Sequence, residues 1–294
     1  MPITGQDTDF APRSSETERT NRQKFSEIFA ASPTLPNELV YSQLSLYLSR
    51  QELARILVLS DIYRTHVLHT NGVLFEFGTC YGRTAALLIN LRGIFEPYNF
   101  TRKLAIFDTF SGLLGCCSKD GAHESVYDGA YSTGQSYESH LAAVLRYHEC
   151  EAPIAHIKKH EIIKGDAAKT LKIYLDCHPE TIVGMAYFDF DIYQPTKSCL
   201  ALLRAHLTKN SVLVFDELNC PEYPGETVAL NEVFGLNRCK IQRSPLTPWM
   251  SYVVARDLIG QGAVAATRGL RAGRGALRVA PDRRRLMLDR YAAS

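Results

Sequence analysis

Seven carboxylates in this sequence stand where short apolar runs give out. Two of them are one residue apart, Asp189 and Asp191 in YFDFDIYQPT. Like charges that close raise one another's pKa unless something positive lies between them. Either both face water, or they serve a cation, a proton transfer or a ligand. A second pair, Asp216-Glu217 in VLVFDELNC, follows the next apolar run. Asp189, Asp216 and Glu217 together offer three hard oxygen ligands of the kind magnesium or calcium takes, with water or substrate completing the shell. A hydroxyl on such a cation deprotonates more easily. Asp191, on the same side as Asp189 if strand geometry persists past the apolar run, is then placed to take the proton. Hydrogen-bonded loop caps are the plain alternative.

Three further acids extend the series. Glu76 lies in EFGTCYG, with Gly78 and Gly82 around the turn that follows. Glycines there let a backbone approach a ligand closely. A dinucleotide site prefers GxGxxG, so that pyrophosphate can rest on the helix N-terminus; here there are two glycines, and Glu76 repels phosphate but suits an ammonium or sugar hydroxyls. Asp108 ends the next apolar run, KLAIFDTF, where an acid can accept from a ribose diol. For Asp108 a solvated loop acid is the plain alternative. Asp166 in KGDA can accept from an adenine amino group.

These positions make sense only if each apolar run is a buried strand. GVLFEFG, KLAIFDTF, HEIIKGDA, TIVGMAYFDFD and SVLVFDEL read as strands. Between them YGRTAALLINLRGIF, SYESHLAAVLRYHE, AKTLKIYLDCH and a segment starting near Pro195 read as helices. A further helix is expected over Glu226–Phe234, and CKIQRS and SYVVARD are expected to pair across the PLTPWM turn. The alternation predicts an α/β protein with a mostly parallel sheet covered by helices on both faces. Ligands of such sheets bind beyond the carboxyl ends of the strands, where all seven acids fall. Ser111 to Gln135 is too long for a plain connection and is a candidate site loop, with His123, Tyr127, Tyr131 and Tyr137 in or beside it. Arg102 and Lys103 are expected only to solvate a connection.

Residues 1–35 read as a flexible segment and 36–71 as a helical cap broken near Leu48-Ser49. Residues 72–258 form the core and 259–294 an extension. Residues 261–294 hold eight arginines and two aspartates, a net +6 against +2 for the whole chain, which leaves a mildly acidic body. That argues against a nucleic-acid-binding domain. There is no apolar run long enough for a membrane span and no basic-then-apolar start of a secretory signal, so a cytoplasmic address is expected. Eight cysteines with no CxxC spacing read as reduced thiols packed as small hydrophobes.

VLFEFGTCYGRTAALL, IFDTFSGL, KGDAAKTL, YFDFDIYQPT and LVFDELNCPEYPGE together resemble the macrocin O-methyltransferase family. Its members are magnesium-dependent enzymes that use S-adenosylmethionine to methylate sugar hydroxyls in natural-product biosynthesis. The resemblance runs from about Leu35 to Asp257. It implies a class I methyltransferase (Rossmann-like) fold with an N-terminal helical cap, and a homodimer or higher oligomer. Glu76, Gly78 and Gly82 would line the methionine and ribose part of S-adenosyl-L-methionine, with Asp108 on the ribose diol and Asp166 near adenine. Asp189 would ligate Mg2+, Asp191 would be the general base, and Asp216-Glu217 would complete the metal site where the family more often has Asp-Asp. The acceptor implied is a small molecule, a deoxysugar derivative in nucleotide-linked or glycosidic form. Four other readings stay open at this point: a methyltransferase for a non-sugar molecule, a nicotinamide oxidoreductase, a magnesium-dependent hydrolase, and a binding protein without turnover.

Overall fold

The computed structural model describes residues 15–31, 39, 42–134, 136–248 and 250–259. The Arg-rich extension, apart from its first residue, lies outside them. The chain divides into two units, up to Leu53 and from Ala54 onward.

In the first unit, helix α1 (Glu16–Ala30) occupies a stretch expected to lack structure. It starts on a capping box: Glu18 N–H donates to Ser15 Oγ, and Ser15 N–H donates to Glu18 Oε2. That reciprocal pair satisfies two donors a helix start leaves open. A short 3-10 turn, Leu44–Tyr47, precedes the expected break at Leu48-Ser49. Helix α2 (Arg50–Thr65) then runs into the second unit.

The second unit is built on seven strands. They are β1 (Val73–Phe77), β2 (Leu104–Asp108), β3 (His160–Lys164), β4 (Val183–Phe188), β5 (Leu207–Phe215), β6 (Gln242–Arg243) and β7 (Ser251–Val254). Their order is β3-β2-β1-β4-β5-β7-β6. β1 to β5 are parallel, β7 runs antiparallel beside β5, and β6 pairs with β7 across the expected turn. The connecting helices are α3 (Arg83–Phe95), α4 (Tyr137–Cys150), α5 (Ala167–Cys177), α6 (Tyr193–Leu203) and α7 (Gly225–Phe234), with α8 (Arg256–Ile259) at the end. α6 begins two residues before Pro195, which therefore sits in its first turn, where a missing N–H costs nothing.

Alternate strand residues feed two cores. Phe75, Phe77, Ala105, Phe107, Ala186, Phe188, Leu213 and Phe215 pack against α5, α6 and α7. Leu74, Leu104, Ile106, Met185, Tyr187, Val212 and Val214 pack against α2, α3 and α4. The period of two is hidden in the sequence because both faces are apolar.

Next to the carboxyl ends, Phe107, Phe77, Phe188 and Phe215 stack in a row across β2, β1, β4 and β5, with centroids 5.2, 4.9 and 5.2 Å apart. Each is a register partner of the next. Such pairs add about 1 kcal/mol each beyond the area they bury.

At the opposite edge a charged cluster is buried. Glu149 on α4 pairs with the Arg92 guanidinium of α3 and lies 2.8 Å from His160 Nδ1 and 3.3 Å from Lys159 Nζ. Arg92 also donates to the carbonyls of Arg102 and Lys159. Arg102, expected in solvent, is itself buried, donating to Glu96 and to the carbonyls of Gly72 and Val67. Lys103 is exposed, as expected.

Burial alone would raise the Glu149 pKa, but the His160 hydrogen bond and Arg92 outweigh it and hold the carboxyl down to about 2. A folded pKa below the unfolded one gives stability that is complete above the unfolded value, near 4.5, and is lost as pH falls towards 2. Glu149→Gln leaves Arg92 and Lys159 buried without a counter-charge, a loss of about 3–5 kcal/mol at pH 7. Urea unfolding at pH 7 and at pH 3 checks this: the variant should be weaker at pH 7, and its deficit should shrink at pH 3.

Candidate active site

The glycine loop after β1 is shaped by near-collisions of backbone. Gly78 has φ +80°, and a Cβ there would lie 2.0 Å from the carbonyl oxygen of Asp189. Its N–H donates to Phe107 O, while Asp189 N–H donates to Phe77 O. β1 and β4 thus leave the sheet touching, and only glycine fits between them. Gly82, φ +82°, is the N-cap of α3, and a Cβ there would meet Leu141 Cδ1 at 2.1 Å.

Asp108 holds this loop in place. Its Oδ2 accepts from Thr79 N–H and Cys80 N–H at 2.7 and 2.8 Å, and its Oδ1 accepts from Phe110 N–H at 2.6 Å. Most of the carboxylate is therefore spent on backbone, leaving one lone pair on Oδ1 rather than two free oxygens for a diol. Asp166 also has a local duty: it caps α5 through Ala168 N–H and lies 3.1 Å from Lys169 Nζ.

Glu76 is different. It is 1% exposed, accepts from Thr79 Oγ1 at 2.9 Å, and its Oε2 is buried with no partner. Burial pushes its pKa up to about 8, with the Thr79 hydrogen bond opposing. An orphaned buried oxygen beside two positive-φ glycines fits a donor such as an ammonium or a ribose hydroxyl. A cavity of about 390 Å3, lined by Phe110, Ser111, Ser132, Gly134, Ser136, Glu138 and Lys164, opens at the carboxyl ends of β2 and β3.

On the other side of Gly78, oxygens of Asp189, Asp191 and Glu217 lie within 4.8 Å of one another. Burial raises all three carboxyls, Asp191 to about 6 and the other two well above their usual range. Their mutual repulsion adds to the rise in Asp189 and Glu217, and Glu217 Oε2 is buried without a partner. Three hard oxygens crowded this way fit a divalent cation, which would relieve the repulsion.

The trio is not the expected one. Asp216 is turned to protein: Arg55 Nη2 donates to its Oδ2 at 2.9 Å and Tyr187 OH to its Oδ1 at 2.6 Å. Arg55 Nη1 also donates to Tyr187 OH. Burial would raise the Asp216 pKa, but Arg55 overrides it and holds the carboxylate ionised. Asp191 takes the third place in the cluster. It does so without continuing the strand, which ends at Phe188; Asp191 has φ +63°, a left-handed conformation that costs a non-glycine residue about 1 kcal/mol or more.

Sequence reasoning missed Arg55, Tyr187, Tyr223 and Glu226. Tyr187 and Glu226 lie inside stretches that drew attention for their acids, and only the sheet's two-residue period separates Tyr187 from the Phe188 face. Arg55 gives no signal among the polar residues of its helix. Of the loop aromatics, Tyr131 faces the acids: Tyr131 OH bonds Tyr223 OH at 2.9 Å, Tyr223 OH bonds Ser125 Oγ at 2.6 Å, and Ser125 Oγ bonds His123 Nδ1 at 2.6 Å. Burial raises both phenols, and the Asp191 charge raises them further. Tyr127 is exposed, and Tyr137 instead donates to Tyr81 O.

No protein-family model matches the chain, and neither does any curated protein. Among solved structures, one of CalS11, described as a calicheamicin methyltransferase, is 35% identical, with TM-score 0.79, covering 82% of this chain and 93% of that one. The apo structure of CalS11, described as a TDP-rhamnose 3'-O-methyltransferase of calicheamicin biosynthesis, is 33% identical with TM-score 0.71, covering 82% and 95%.

The crossing at Gly78 gives a direct test. Gly78→Ala forces a Cβ onto the Asp189 backbone in a conformation alanine resists, and should lower unfolding free energy by about 2 kcal/mol. It should also weaken S-adenosylhomocysteine binding at least tenfold; urea unfolding and calorimetric titration measure the two effects.

Proposed function

The chain belongs to the macrocin O-methyltransferase family of S-adenosylmethionine-dependent sugar O-methyltransferases, and we propose that it methylates, with Mg2+ bound, a hydroxyl of a deoxysugar, nucleotide-linked or glycosidic, in natural-product biosynthesis. The observation that carries this reading is the Asp189–Asp191–Glu217 cluster lying against the glycine-walled loop. The sugar class is supported by the likeness to CalS11, whose acceptor is described as TDP-rhamnose. A nicotinamide oxidoreductase is disfavoured by Glu76, a buried acid where pyrophosphate would approach.

S-adenosylmethionine supplies an electrophilic sulfonium methyl group, and Mg2+ makes a bound hydroxyl more acidic. The chain's own residues do the rest. Glu76, Gly78 and Gly82 receive the donor's amino acid and ribose portion, with the free Oδ1 lone pair of Asp108 beside them. The cavity by Phe110 and Lys164 suits the adenine end, and Asp166 stands one residue beyond Gly165, whose N–H donates to Asp108 O. Asp189 and Glu217 would hold the cation. Asp191 accepts the proton from the acceptor hydroxyl on its carboxylate, and the oxygen so freed would take the donor's methyl group as the carbon–sulfur bond breaks and S-adenosylhomocysteine leaves. Asp216, neutralised by Arg55, stands behind the trio without occupying the cation. The Tyr131–Tyr223–Ser125–His123 chain walls the acceptor side, where hydroxyl groups and ring faces suit a sugar. Holding donor and acceptor in line accounts for a large part of the acceleration.

Asp191→Asn keeps the shape and removes the base. Donor binding should stay within about twofold, while transfer to TDP-rhamnose or related deoxysugars, read with labelled donor, should fall at least a hundredfold. Equal turnover by the variant would overturn the base assignment. Chelation should abolish transfer and added Mg2+ restore it; full activity of metal-free protein would remove the cation from the reaction.

A further inference from the structure

The strained turn that carries Asp191 is held at both ends by buried acids that belong to other segments. Phe190 N–H, just before it, donates to Glu226 Oε1 at 3.2 Å. Tyr193 N–H, two residues after it, donates to Asp120 Oδ1 at 2.5 Å. Asp120 and Glu226 are both 0% exposed. Each also holds a second piece of the site: Glu226 Oε2 accepts from Glu217 N–H at 3.4 Å, and Asp120 Oδ2 accepts from Cys117 N–H at 2.7 Å. Burying a carboxylate is costly unless its oxygens are used, and here they are used on backbone around one residue with φ +63°.

Gly225 explains how the two grips fit together. A Cβ at this position would lie 2.5 Å from Tyr193 N and 2.7 Å from Asp120 Oδ1, so the first turn of α7 wedges into the Asp120–Tyr193 hydrogen bond. Lys119, beside Asp120, repeats the tie outside: its Nζ donates to Tyr193 OH at 3.0 Å and to Glu232 of α7.

We propose that Asp120 and Glu226 are positioning residues that hold Asp191 in its left-handed conformation facing the acceptor hydroxyl, and that through Asp120 the loop after β2 keeps the base in place. The proposal rests on the reading of Asp191 as the base. A base displaced by about 1 Å loses on the order of a hundredfold in rate while leaving the donor pocket untouched.

The test measures kcat, the acceptor and donor KM, and S-adenosylhomocysteine affinity in the full chain with Mg2+. Asp120→Ala should lower kcat by about 10- to 100-fold, with donor affinity within about twofold of wild type. Asp120→Asn, whose Oδ1 still accepts from Tyr193 N–H, should recover to within about fivefold of wild type. Gly225→Ala, which separates the same two groups without touching the acid, should lose kcat as Asp120→Ala does. Wild-type kcat in Asp120→Ala or Gly225→Ala overturns the proposal, as does an Asp120→Asn variant no better than the alanine. If Asp120→Ala does not fold, the asparagine and Gly225→Ala variants carry the test. Asp191→Asn in the same assay separates the two readings: an inactive Asp191→Asn with intact Asp120→Ala sinks only the positioning role, whereas an active Asp191→Asn sinks the base itself.

Discussion

Four phenylalanine rings stacked across four parallel strands set the frame on which this site depends. Phe107, Phe77, Phe188 and Phe215 are followed in the chain by Asp108, Gly78, Asp189 and Asp216, so fixing the ring row fixes the rim one residue further on. A parallel sheet slipped by two residues would still bury apolar side chains on both faces. It would break the ring row and separate Asp189 from Gly78, which touch through backbone. Packing at the last buried layer therefore sets the register on which the chemistry relies.

That frame has to hold together groups that repel. Asp189, Asp191, Asp216, Glu217 and Glu226 crowd one end of β4 and β5, and Arg55 is hydrogen-bonded to one of them, Asp216. Arg55 binds only the rearmost acid, through a fork that also takes Tyr187 OH. Burial and mutual repulsion push the carboxyls of Asp189, Glu217 and Glu226 up towards their neutral forms. The Arg55 guanidinium thus keeps Asp216 paired within the protein, while the oxygens of Asp189, Asp191 and Glu217 are left crowding one another.

Much of the fold was legible because its strands are short, apolar and separated by helices of ordinary length. The five parallel strands, the break before Arg50 and the closing antiparallel pair all lie where the pattern puts them. The gathering of acids past the ends of β4 and β5 was legible too, since acids at strand ends can be counted from sequence. Their individual duties were not. Whether Asp216 faces a cation or an arginine depends on Arg55, 161 residues away in sequence and anonymous on its helix. Asp191 joins Asp189 by a left-handed turn that no strand extrapolation contains. Arg102 looked like a solvated residue because the carbonyls it satisfies belong to Val67 and Gly72, brought beside it only by the sheet edge.

An acid at the rim of an α/β sheet is consequently ambiguous in a specific way. Asp108 and Glu226 spend oxygens on backbone N–H groups of loops, Asp120 and Asp166 on those of Tyr193 and Ala168 at helix starts, and Asp128 on those of Gly115 and Cys116. Glu76 and Glu217 each keep a buried oxygen unpartnered. The first group makes loops rigid without secondary structure, because a carboxylate can collect several N–H donors that no strand or helix satisfies. The second group is left with hydrogen-bonding capacity that the protein's own groups do not use. The division between acids with an oxygen to spare and loop-holding acids therefore follows from which oxygens the backbone has already taken.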